Sequence, residues 1–340
     1  MKAIIVEKPF EIKIAEVPTP VISAPDEVLI KVICGGICGS DIGIYKGTNS
    51  LATYPRIIGH EFGGEIVEVG AGVKNVKVGD VVAVDPVRSC GHCYACTHDR
   101  HNVCNTVEVT GVHRDGGFAE YVVAPEADVY KVDTTKVPED LICMVEPYSI
   151  GMQVNYRADI HKGDKVLVMG SGPIGIAIMQ VAKSRGAKVM MTDLVDKRLA
   201  RAIDMGADRT VNVLKEDLKQ AVMEFTDGEG MPVIADSVCS VQSLPQALEL
   251  ASAAGRVVTL GLINKPSEIA QVDFTKKEVT VVGSRLNNYR FPEVIKGFES
   301  GALTPEKMRS KSFHYTEVQD ALKLVMEHPE EVCKVSLNFK

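Results

Sequence analysis

Short runs of β-branched and other apolar residues fill the first 140 residues of the chain, and Gly, Pro and Asp separate them. Runs of this length, each bounded by turn residues, are typical of short strands. The pattern therefore predicts a β-rich domain with loop excursions in this part of the chain. The predicted strands are Lys2–Val6, Glu27–Val32, Gly64–Val69, Asp80–Val84 and Glu120–Val123.

From Gly163 onward the pattern changes, because apolar runs alternate with segments of helical periodicity. Such alternation predicts βαβ units on a parallel sheet. The predicted strands are Lys165–Met169, Lys188–Thr192, Val233–Asp236, Arg256–Leu260 and Glu278–Val282, and the predicted helices are Pro173–Arg185 and Asp196–Met205. After Ser284 the pattern predicts the helices Pro292–Ser300 and Thr316–Glu327 and a closing strand Cys333–Phe339.

Length and charge narrow the class of protein. A chain of 340 residues is long enough for two domains. Its net charge of −7 argues against a nucleic-acid partner, which a basic surface would recognise. The longest uncharged run, residues 166–182, is too short to span a membrane, which needs about 20 residues. We therefore expect a soluble, cytoplasmic protein that binds neither membrane nor nucleic acid.

A glycine-rich motif follows the predicted strand Lys165–Met169 and opens a predicted helix. In G-x-G-x-x-G, Gly170 permits a tight turn, Gly172 lets the backbone approach a pyrophosphate, and Gly175 allows close packing of helix and strand. The next strand ends at Asp193, whose carboxylate can accept hydrogen bonds from the ribose hydroxyls and would repel a 2′-phosphate. These features predict NAD as the cofactor. Further candidates for contacts with it are Pro173, Ile174, Arg198, Val238, Leu262 and Arg285.

Four of the nine cysteines lie within fifteen residues, spaced C-x2-C-x2-C-x7-C. Two-residue spacers let neighbouring thiolates converge on one tetrahedral ion, and four sulfurs leave no open position. The spacing predicts a closed, structural zinc site, with a loop of unpaired thiols as the alternative. Its ligands are Cys90, Cys93, Cys96 and Cys104. The nearby His92, His98 and His101 are expected to face solvent.

A second set of residues has the composition of a catalytic zinc site, which combines Cys, His and carboxylate ligands with one open position. Its members are Cys38, His60, Glu61 and Glu146. Each has an ordinary alternative explanation, since a single Cys or His is more often a packing residue. Their spacing alone does not show that they meet in space. With the four-cysteine segment, this set predicts two zinc ions per chain.

Taken together, these motifs are similar to those of a known enzyme family. GICGSD, GHEFGGEIVEVG, the four-cysteine segment, DGGFAEY, VEP and GSGPIG occur in one order over almost the whole chain. They resemble the medium-chain zinc-dependent alcohol and polyol dehydrogenases. VDPVRSCGHCYAC, GVHRDGG and GSRLNN further resemble its bacterial sugar-acid members, in particular the starvation-sensing-type L-gulonate 5-dehydrogenases.

The resemblance implies an α/β protein in which a Rossmann NAD-binding domain, residues 151–285, is inserted into a GroES-like catalytic domain. The catalytic domain would comprise residues 1–150 and 286–340, with the structural zinc lobe at 88–105. The resemblance also implies that Cys38, His60 and Glu146 approach the catalytic zinc, and that Glu61 is a ligand that exchanges with water. Ser40 would pass the substrate proton outward. Many relatives carry a His at the position of Gly43, so the relay beyond Ser40 is left open.

The family reaction implies hydride transfer from a secondary hydroxyl of a sugar acid to NAD, with L-gulonate oxidised to D-fructuronate as the leading hypothesis. Alternatives are a dehydrogenase for L-galactonate, L-idonate, sorbitol or threonine, or a catalytically silent nucleotide-binding sensor. A sugar acid needs hydrogen-bonding groups and a cation. The polar candidates are Arg114, Arg285 and Asn287, and the resemblance places Phe118 as an apolar wall of the cleft, with an ordinary core residue as the alternative. Family relatives assemble as homodimers or homotetramers, and the same is expected here.

Overall fold

A computed structural model describes residues 1–340. The chain divides into two compact units, Met1–Glu146 with Asn287–Lys340, and Pro147–Leu286. The first unit is built from both ends of the chain and the second from its middle. The predicted boundary after residue 150 falls inside a helix that begins at Val145. The change from β-rich to α/β pattern along the sequence corresponds to this division.

The strands of the structure are numbered in chain order. They are β1 Lys2–Lys8, β2 Glu11–Glu16, β3 Glu27–Gly36, β4 Arg56–Ile57, β5 Glu61–Val69, β6 Val81–Val84, β7 Val87–Arg88, β8 Glu108–Val109, β9 Tyr121–Pro125, β10 Val129–Lys131, β11 Lys165–Met169, β12 Lys188–Asp193, β13 Arg209–Asn212, β14 Met231–Asp236, β15 Ala251–Thr259, β16 Thr280–Gly283, β17 Arg309–His314 and β18 Lys334–Asn338.

Ten α-helices accompany the strands. They are α1 Gly39–Tyr45, α2 Val145–Arg157, α3 Pro173–Ser184, α4 Asp196–Asp204, α5 Leu218–Phe225, α6 Ser243–Leu250, α7 Gln271–Thr275, α8 Phe291–Glu299, α9 Pro305–Met308 and α10 Val318–Glu327. Short 3-10 helices cover Cys96–His98, His101–Val103, Glu126–Asp128, Glu139–Met144 and Tyr315–Glu317. No helix is long and apolar enough to cross a membrane.

The first unit is β-rich, as predicted. Its largest sheet has seven strands in the order β10-β6-β5-β3-β18-β17, with β9 also paired to β3, and the separate sheet β2-β1-β4 has three strands. Strand β3 is the centre of the large sheet, because it pairs with β5, β9 and the C-terminal β18. The pairing of β3 with β5 and β18 brings residues from the two ends of the chain to one place.

The second unit contains a six-stranded parallel sheet of order β13-β12-β11-β14-β15-β16, which confirms the predicted doubly wound architecture. Its strands are nearly continuous runs of buried apolar residues, such as Val166, Leu167 and Val168 in β11. Strands of this kind are covered by helices on both faces. The order reverses at β11, where β12 lies on one side and β14 on the other, and nucleotides bind at such a reversal.

Candidate functional site

The four clustered cysteines of the first unit converge as predicted from their spacing. The sulfurs of Cys90, Cys93, Cys96 and Cys104 all lie within 4.8 Å of one another. Backbone N–H groups point at these sulfurs, since the amide of Cys90 donates to Cys104 Sγ at 3.3 Å and that of Cys93 to Cys90 Sγ at 3.4 Å. The amide of Cys90 lowers the pKa of the Cys104 thiol to about 6. Convergent sulfurs with a thiolate favoured at neutral pH fit a structural zinc ion.

One histidine of this lobe was predicted wrongly. His92 and His98 are exposed, as expected, but His101 is buried. Its Nδ1 lies 2.6 Å from Asn288 Oδ1, and its ring stacks on Tyr289 with centroids 3.8 Å apart. Asn288 also donates to the carbonyl of Asp99 at 2.7 Å. His101 is buried because Asn288 and Tyr289, which lie far along the chain, cover it. The spacing of residues within the lobe does not reveal a contact of this kind.

The second predicted ligand set is also largely assembled. Ligand atoms of Cys38, His60 and Glu61 lie within 4.8 Å of one another. Cys38 caps the N-terminus of α1, and Glu61 begins β5 directly after His60. Buried His60 Nδ1 and Glu61 Oε2 have no hydrogen-bond partner in the protein. A thiol, an imidazole and a carboxylate with unused buried donor atoms fit a zinc ion that retains an open position.

Glu146 does not belong to this tight group, although it lies near it. Its side chain is buried, and burial raises its pKa to about 8, while the charge of His60 acts in the opposite direction. The charge of Glu61 reinforces the rise. The carboxyl of Glu146 is therefore close enough to sense both ligands. Its role as a zinc ligand stays a prediction.

Asp41 lies beneath the ligand group and is completely buried. It accepts hydrogen bonds from the amides of Cys38 at 2.8 Å and Gly59 at 3.2 Å, and its Oδ1 is 3.8 Å from His60 Nδ1. Burial would lower the pKa of His60, but the charges of Cys38, Asp41 and Glu146 outweigh it and raise that pKa well above its ordinary value. The excess of negative charge that favours a proton on His60 also favours a divalent cation in its place.

Lys334 supplies the balancing charge from the C-terminal strand β18. Its Nζ lies 2.5 Å from Glu61 Oε1, and both side chains are buried. Burial would lower the pKa of Lys334, but the charges of Glu61 and Cys38 raise it above its ordinary value. Lys334 therefore stays charged, and it occupies one oxygen of Glu61 while the other remains free.

Ser40 lies in the first turn of α1, two residues after Cys38. Its hydroxyl oxygen is buried and has no hydrogen-bond partner in the protein. A Cβ at Gly43, one turn further along, would make only ordinary van der Waals contacts with Thr48 and Asn49. A buried hydroxyl without an internal partner is available to a bound molecule.

The glycine-rich loop of the second unit has the geometry that its motif predicts. Gly170 has a φ of +94°, which side chains rarely adopt, and a Cβ at Gly175 would collide with the carbonyl oxygen of Gly170. A Cβ at Gly172 would meet nothing, so the backbone there is open to a ligand. Gly172 caps α3 and Pro173 occupies its first turn, which leaves backbone N–H groups at the helix start for phosphate oxygens.

Asp193 ends β12 beside this loop, as predicted. Its carboxylate accepts hydrogen bonds from the amides of Ser171 at 3.0 Å and Leu194 at 2.8 Å, and Arg198 Nη1 lies 3.8 Å away. These contacts fix the orientation of the carboxylate. A cavity of about 620 Å³ contains most of the predicted cofactor residues. They are Gly170, Gly172, Pro173, Ile174, Gly175, Asp193, Arg198 and Val238. Leu262 is exposed, and neither Leu262 nor Arg285 lines this cavity.

Three of the four predicted substrate residues lie in the first unit, and Arg285 lies in the second. Phe118 is completely buried, with its ring against Gly35 and Gly59, and is a core residue in this structure. Asn287 is also completely buried and donates to Asp85 at 3.1 Å, so its amide serves the interior of the first unit. Arg285 belongs to the second unit, just after β16.

Arg114 is partly buried in the first unit, and its carbonyl accepts a hydrogen bond from the amide of Gly111, which packs against Gly59, the residue before His60. The charges that act on it come from Arg88, Glu108, Asp128 and Glu27, none of which is a ligand candidate. Glu27 begins β3, whereas Gly36 at the opposite end of that strand lies against Glu61. The role of Arg114 as a substrate residue stays a prediction.

Comparison with known proteins identifies the family. Residues 24–134 match the description "Alcohol dehydrogenase GroES-like domain", and residues 173–300 match "Zinc-binding dehydrogenase". The chain is 42% identical over 343 residues to the starvation-sensing protein RspB of Escherichia coli K12, covering 100% of this chain and 99% of RspB. It belongs to the zinc-dependent medium-chain alcohol and polyol dehydrogenase family. The predicted family, fold and zinc and NAD cofactors are thereby confirmed, and the chain is an NAD-dependent dehydrogenase of CH–OH donors.

Two further comparisons bear on the identity of the substrate and the cofactor. The L-galactonate-5-dehydrogenase of Escherichia coli K12 is 30% identical over 342 residues, covering 100% of this chain and 99% of that enzyme. The crystal structure of rspB from E. coli CFT073 in complex with NADH superposes with a TM-score of 0.94 at 42% identity. That comparison covers 100% of this chain and 99% of the other.

Two residues of the site were missed by sequence reasoning. Asp41 belongs to the GICGSD motif and follows Cys38 at the three-residue spacing of an N-terminal helix cap, so a local signal was present. Lys334 has no such signal, because it lies 273 residues from Glu61 and its strand looks like an ordinary closing strand. Only the pairing of β18 with β3 brings it to the ligand group.

Proposed function

We propose that this dehydrogenase oxidises the C5 hydroxyl of L-gulonate to the ketone of D-fructuronate, with NAD as acceptor. The carrying observation is the group formed by Cys38, His60 and Glu61, with the unpartnered hydroxyl of Ser40 two residues from Cys38. The sugar-acid substrate is supported by the motifs GVHRDGG and GSRLNN and by the similarity to an L-galactonate-5-dehydrogenase. L-Galactonate, L-idonate, sorbitol and threonine remain the alternative substrates.

In the proposed reaction the hydroxyl O–H and the C5–H bond both break. A zinc ion held by Cys38, His60 and Glu61 would lower the pKa of the substrate hydroxyl. Ser40 takes the hydroxyl proton and passes it outward, and the hydride from C5 goes to the nicotinamide of NAD. The products are the ketone, NADH and one proton, so atoms and electrons balance.

The surrounding residues have supporting roles in this proposal. Asp41 orients Cys38 and His60 through the contacts of its carboxylate, and Lys334 holds one oxygen of Glu61. Because Lys334 neutralises part of the negative charge, it would lower the electrostatic cost of moving Glu61 relative to a bound zinc ion. Glu146 is the further carboxylate that would hold the zinc ion. Asp193 accepts hydrogen bonds from the adenosine ribose and disfavours NADP.

A substrate panel tests this function. Initial rates of NADH formation should be measured with L-gulonate, L-galactonate, L-idonate, sorbitol and L-threonine, each with NAD and with NADP. We expect the highest kcat/KM for L-gulonate with NAD and a value at least about ten-fold lower for sorbitol. A preference for sorbitol or threonine would refute the sugar-acid proposal. Tight NADH binding without turnover of any substrate would support a nucleotide-binding sensor.

Arg285 is proposed as the cation that binds the substrate carboxylate, since it follows the carboxyl end of β16 and parallel sheets bind their ligands at the carboxyl ends of their strands. Replacing Arg285 with Ala should raise KM for L-gulonate more than KM for sorbitol, which has no carboxylate. Equal increases for the two substrates would argue against carboxylate recognition by Arg285.

We further propose that the protein assembles as a homodimer or homotetramer in the cytoplasm. The edge strand β16 of the parallel sheet supports the assembly, because an unpaired strand edge can pair with a second copy. All nine cysteines are free thiols, which suits a reducing compartment. Light scattering of the purified protein measures the assembly, and a monomeric mass would contradict it.

A further inference from the structure

A second cavity, of about 550 Å³, is lined by residues of the first unit and shares none of them with the metal or nucleotide sites described above. None of its lining residues is a metal-ligand candidate or a predicted cofactor residue. Apolar side chains form much of its wall, among them Ile5, Val17, Pro18 and Val122. Its volume lies in the range of small-molecule sites, which is about 300–1,000 Å³.

Two arginines line this cavity, and they differ in their partners. Arg56 donates to Asp115 Oδ1 at 2.9 Å and also to Thr53, so its charge is matched. The guanidinium of Arg114 is partly buried and forms neither a hydrogen bond nor an ion pair. Burial and the nearby positive charge of Arg88 both lower the pKa of Arg114. The carboxylates of Glu108, Asp128 and Glu27 act on that pKa in the opposite direction, but none of them is bonded to the guanidinium, so its N–H groups are available to a bound anion.

Among the charged side chains that line the cavity, Arg56 and Asp115 pair with each other, and Arg114 has no bonded partner. A planar guanidinium binds a carboxylate through two parallel hydrogen bonds, which favours this anion over a monatomic one.

We propose that this cavity binds a small organic monocarboxylate with an apolar body, its carboxylate on Arg114 and its hydrocarbon portion along Ile5, Val17 and Val122. The site lies outside the metal and nucleotide sites. It is independent of the proposed function, because none of its residues takes part in hydride transfer. A neutral apolar ligand and a second copy of the chain are the competing occupants.

Calorimetric titration of the zinc-loaded protein with octanoate tests the proposal, with 1-octanol as the uncharged probe of equal chain length. We expect saturable octanoate binding at one site per chain and at least about ten-fold weaker binding of 1-octanol. Replacing Arg114 with Gln should weaken octanoate binding by about ten-fold or more. The Arg114→Lys variant should retain part of the affinity.

A matched control is Lys74→Gln, which removes one positive charge from an exposed position of the same unit and should leave the affinity unchanged. Equal octanoate binding by Arg114→Gln and the unmodified protein would overturn the proposal and indicate a different site. Equal binding of octanoate and 1-octanol would show an apolar pocket without anion recognition. Absence of octanoate binding, or displacement of a second copy by octanoate, would also overturn it. The comparison of the two probes on the unmodified protein holds even if Arg114→Gln does not fold.

Discussion

The pair formed by Lys334 and Glu61 shows how much one residue contributes to the ligand group. Both side chains are buried, and their charged atoms lie 2.5 Å apart. A buried pair is weak evidence for stability as such, yet removing one partner is strongly destabilising because the other charge stays buried. Lys334 therefore acts by holding the Glu61 carboxylate in place.

Replacing Lys334 with Met should leave the Glu61 carboxylate buried without its partner. We expect a loss of about 3–5 kcal/mol in the free energy of unfolding and a lower zinc content per chain. The conservative variant Lys334→Arg keeps the charge and should restore zinc content to a large extent. Urea unfolding and metal analysis measure the two effects, and an unchanged zinc content in Lys334→Met would contradict the role given to Lys334.

At the residue scale, Asp193 is the proposed determinant of the cofactor preference. Replacing it with Ala would remove the carboxylate proposed to bind the ribose, so kcat/KM with NAD should fall by about ten-fold while kcat/KM with NADP falls less or rises. Steady-state assays with both cofactors measure this change. A preference of the unmodified protein for NADP would show that Asp193 does not set the specificity.

Among the elements, those with a strong local pattern were predicted well. Strand β11 has the predicted bounds, and helix α3 ends one residue earlier than predicted. Strand β5 was predicted to begin at Gly64, but it begins at Glu61. Two glycines within the strand mask its β propensity, and they are required because Ile142 and the backbone of Lys31 lie where their side chains would be.

Elements without such a pattern were missed, and among them are helix α2, helix α6 and the 3-10 helix Glu139–Met144. Residues 141–145 are all buried, so the segment shows no alternation between apolar and polar positions. Periodicity cannot identify an element that is buried on every side. The cysteine lobe was predictable because its four ligands are close in sequence, whereas contacts such as Lys334 with Glu61 depend on the topology of the sheet.

The turn that follows β6 contains a buried carboxylate that links stability to pH. Asp85 accepts hydrogen bonds from the amide of Val87 and from Asn287, but burial raises its pKa to about 7. An acid with a raised pKa in the folded state favours folding while it is protonated, and this contribution disappears as pH rises through the folded pKa. Stability should therefore fall between pH 6 and pH 8.

The Asp85→Asn variant tests this link. For the unmodified protein, Asp85 should account for a loss of about 1.4 kcal/mol in the free energy of unfolding between pH 6 and pH 8. The variant cannot ionise and should lack this part of the pH dependence. Unfolding measured at both pH values decides the matter, and identical pH dependence in the two proteins would contradict a raised pKa of Asp85.

At the scale of the whole molecule, the two metal groups are predicted to have different roles, one structural and one catalytic. The four-cysteine lobe offers no open position and lies among turns, so its metal should stabilise the fold of the first unit. Replacing Cys93 with Ser should remove one zinc ion and lower the thermal midpoint of unfolding, while the Cys38–His60–Glu61 group keeps its metal. Loss of both zinc ions in this variant would show that the two groups depend on each other.

A zinc ion held by Cys38, His60 and Glu61 is proposed to be required for oxidation of the sugar acid. The zinc content and the NAD-linked turnover of L-gulonate should be measured in the unmodified protein and in Cys38→Ser. We expect two zinc ions per chain and turnover in the unmodified protein, and one zinc ion, intact NADH binding and no turnover in the variant. Two zinc ions and full turnover in Cys38→Ser would contradict it.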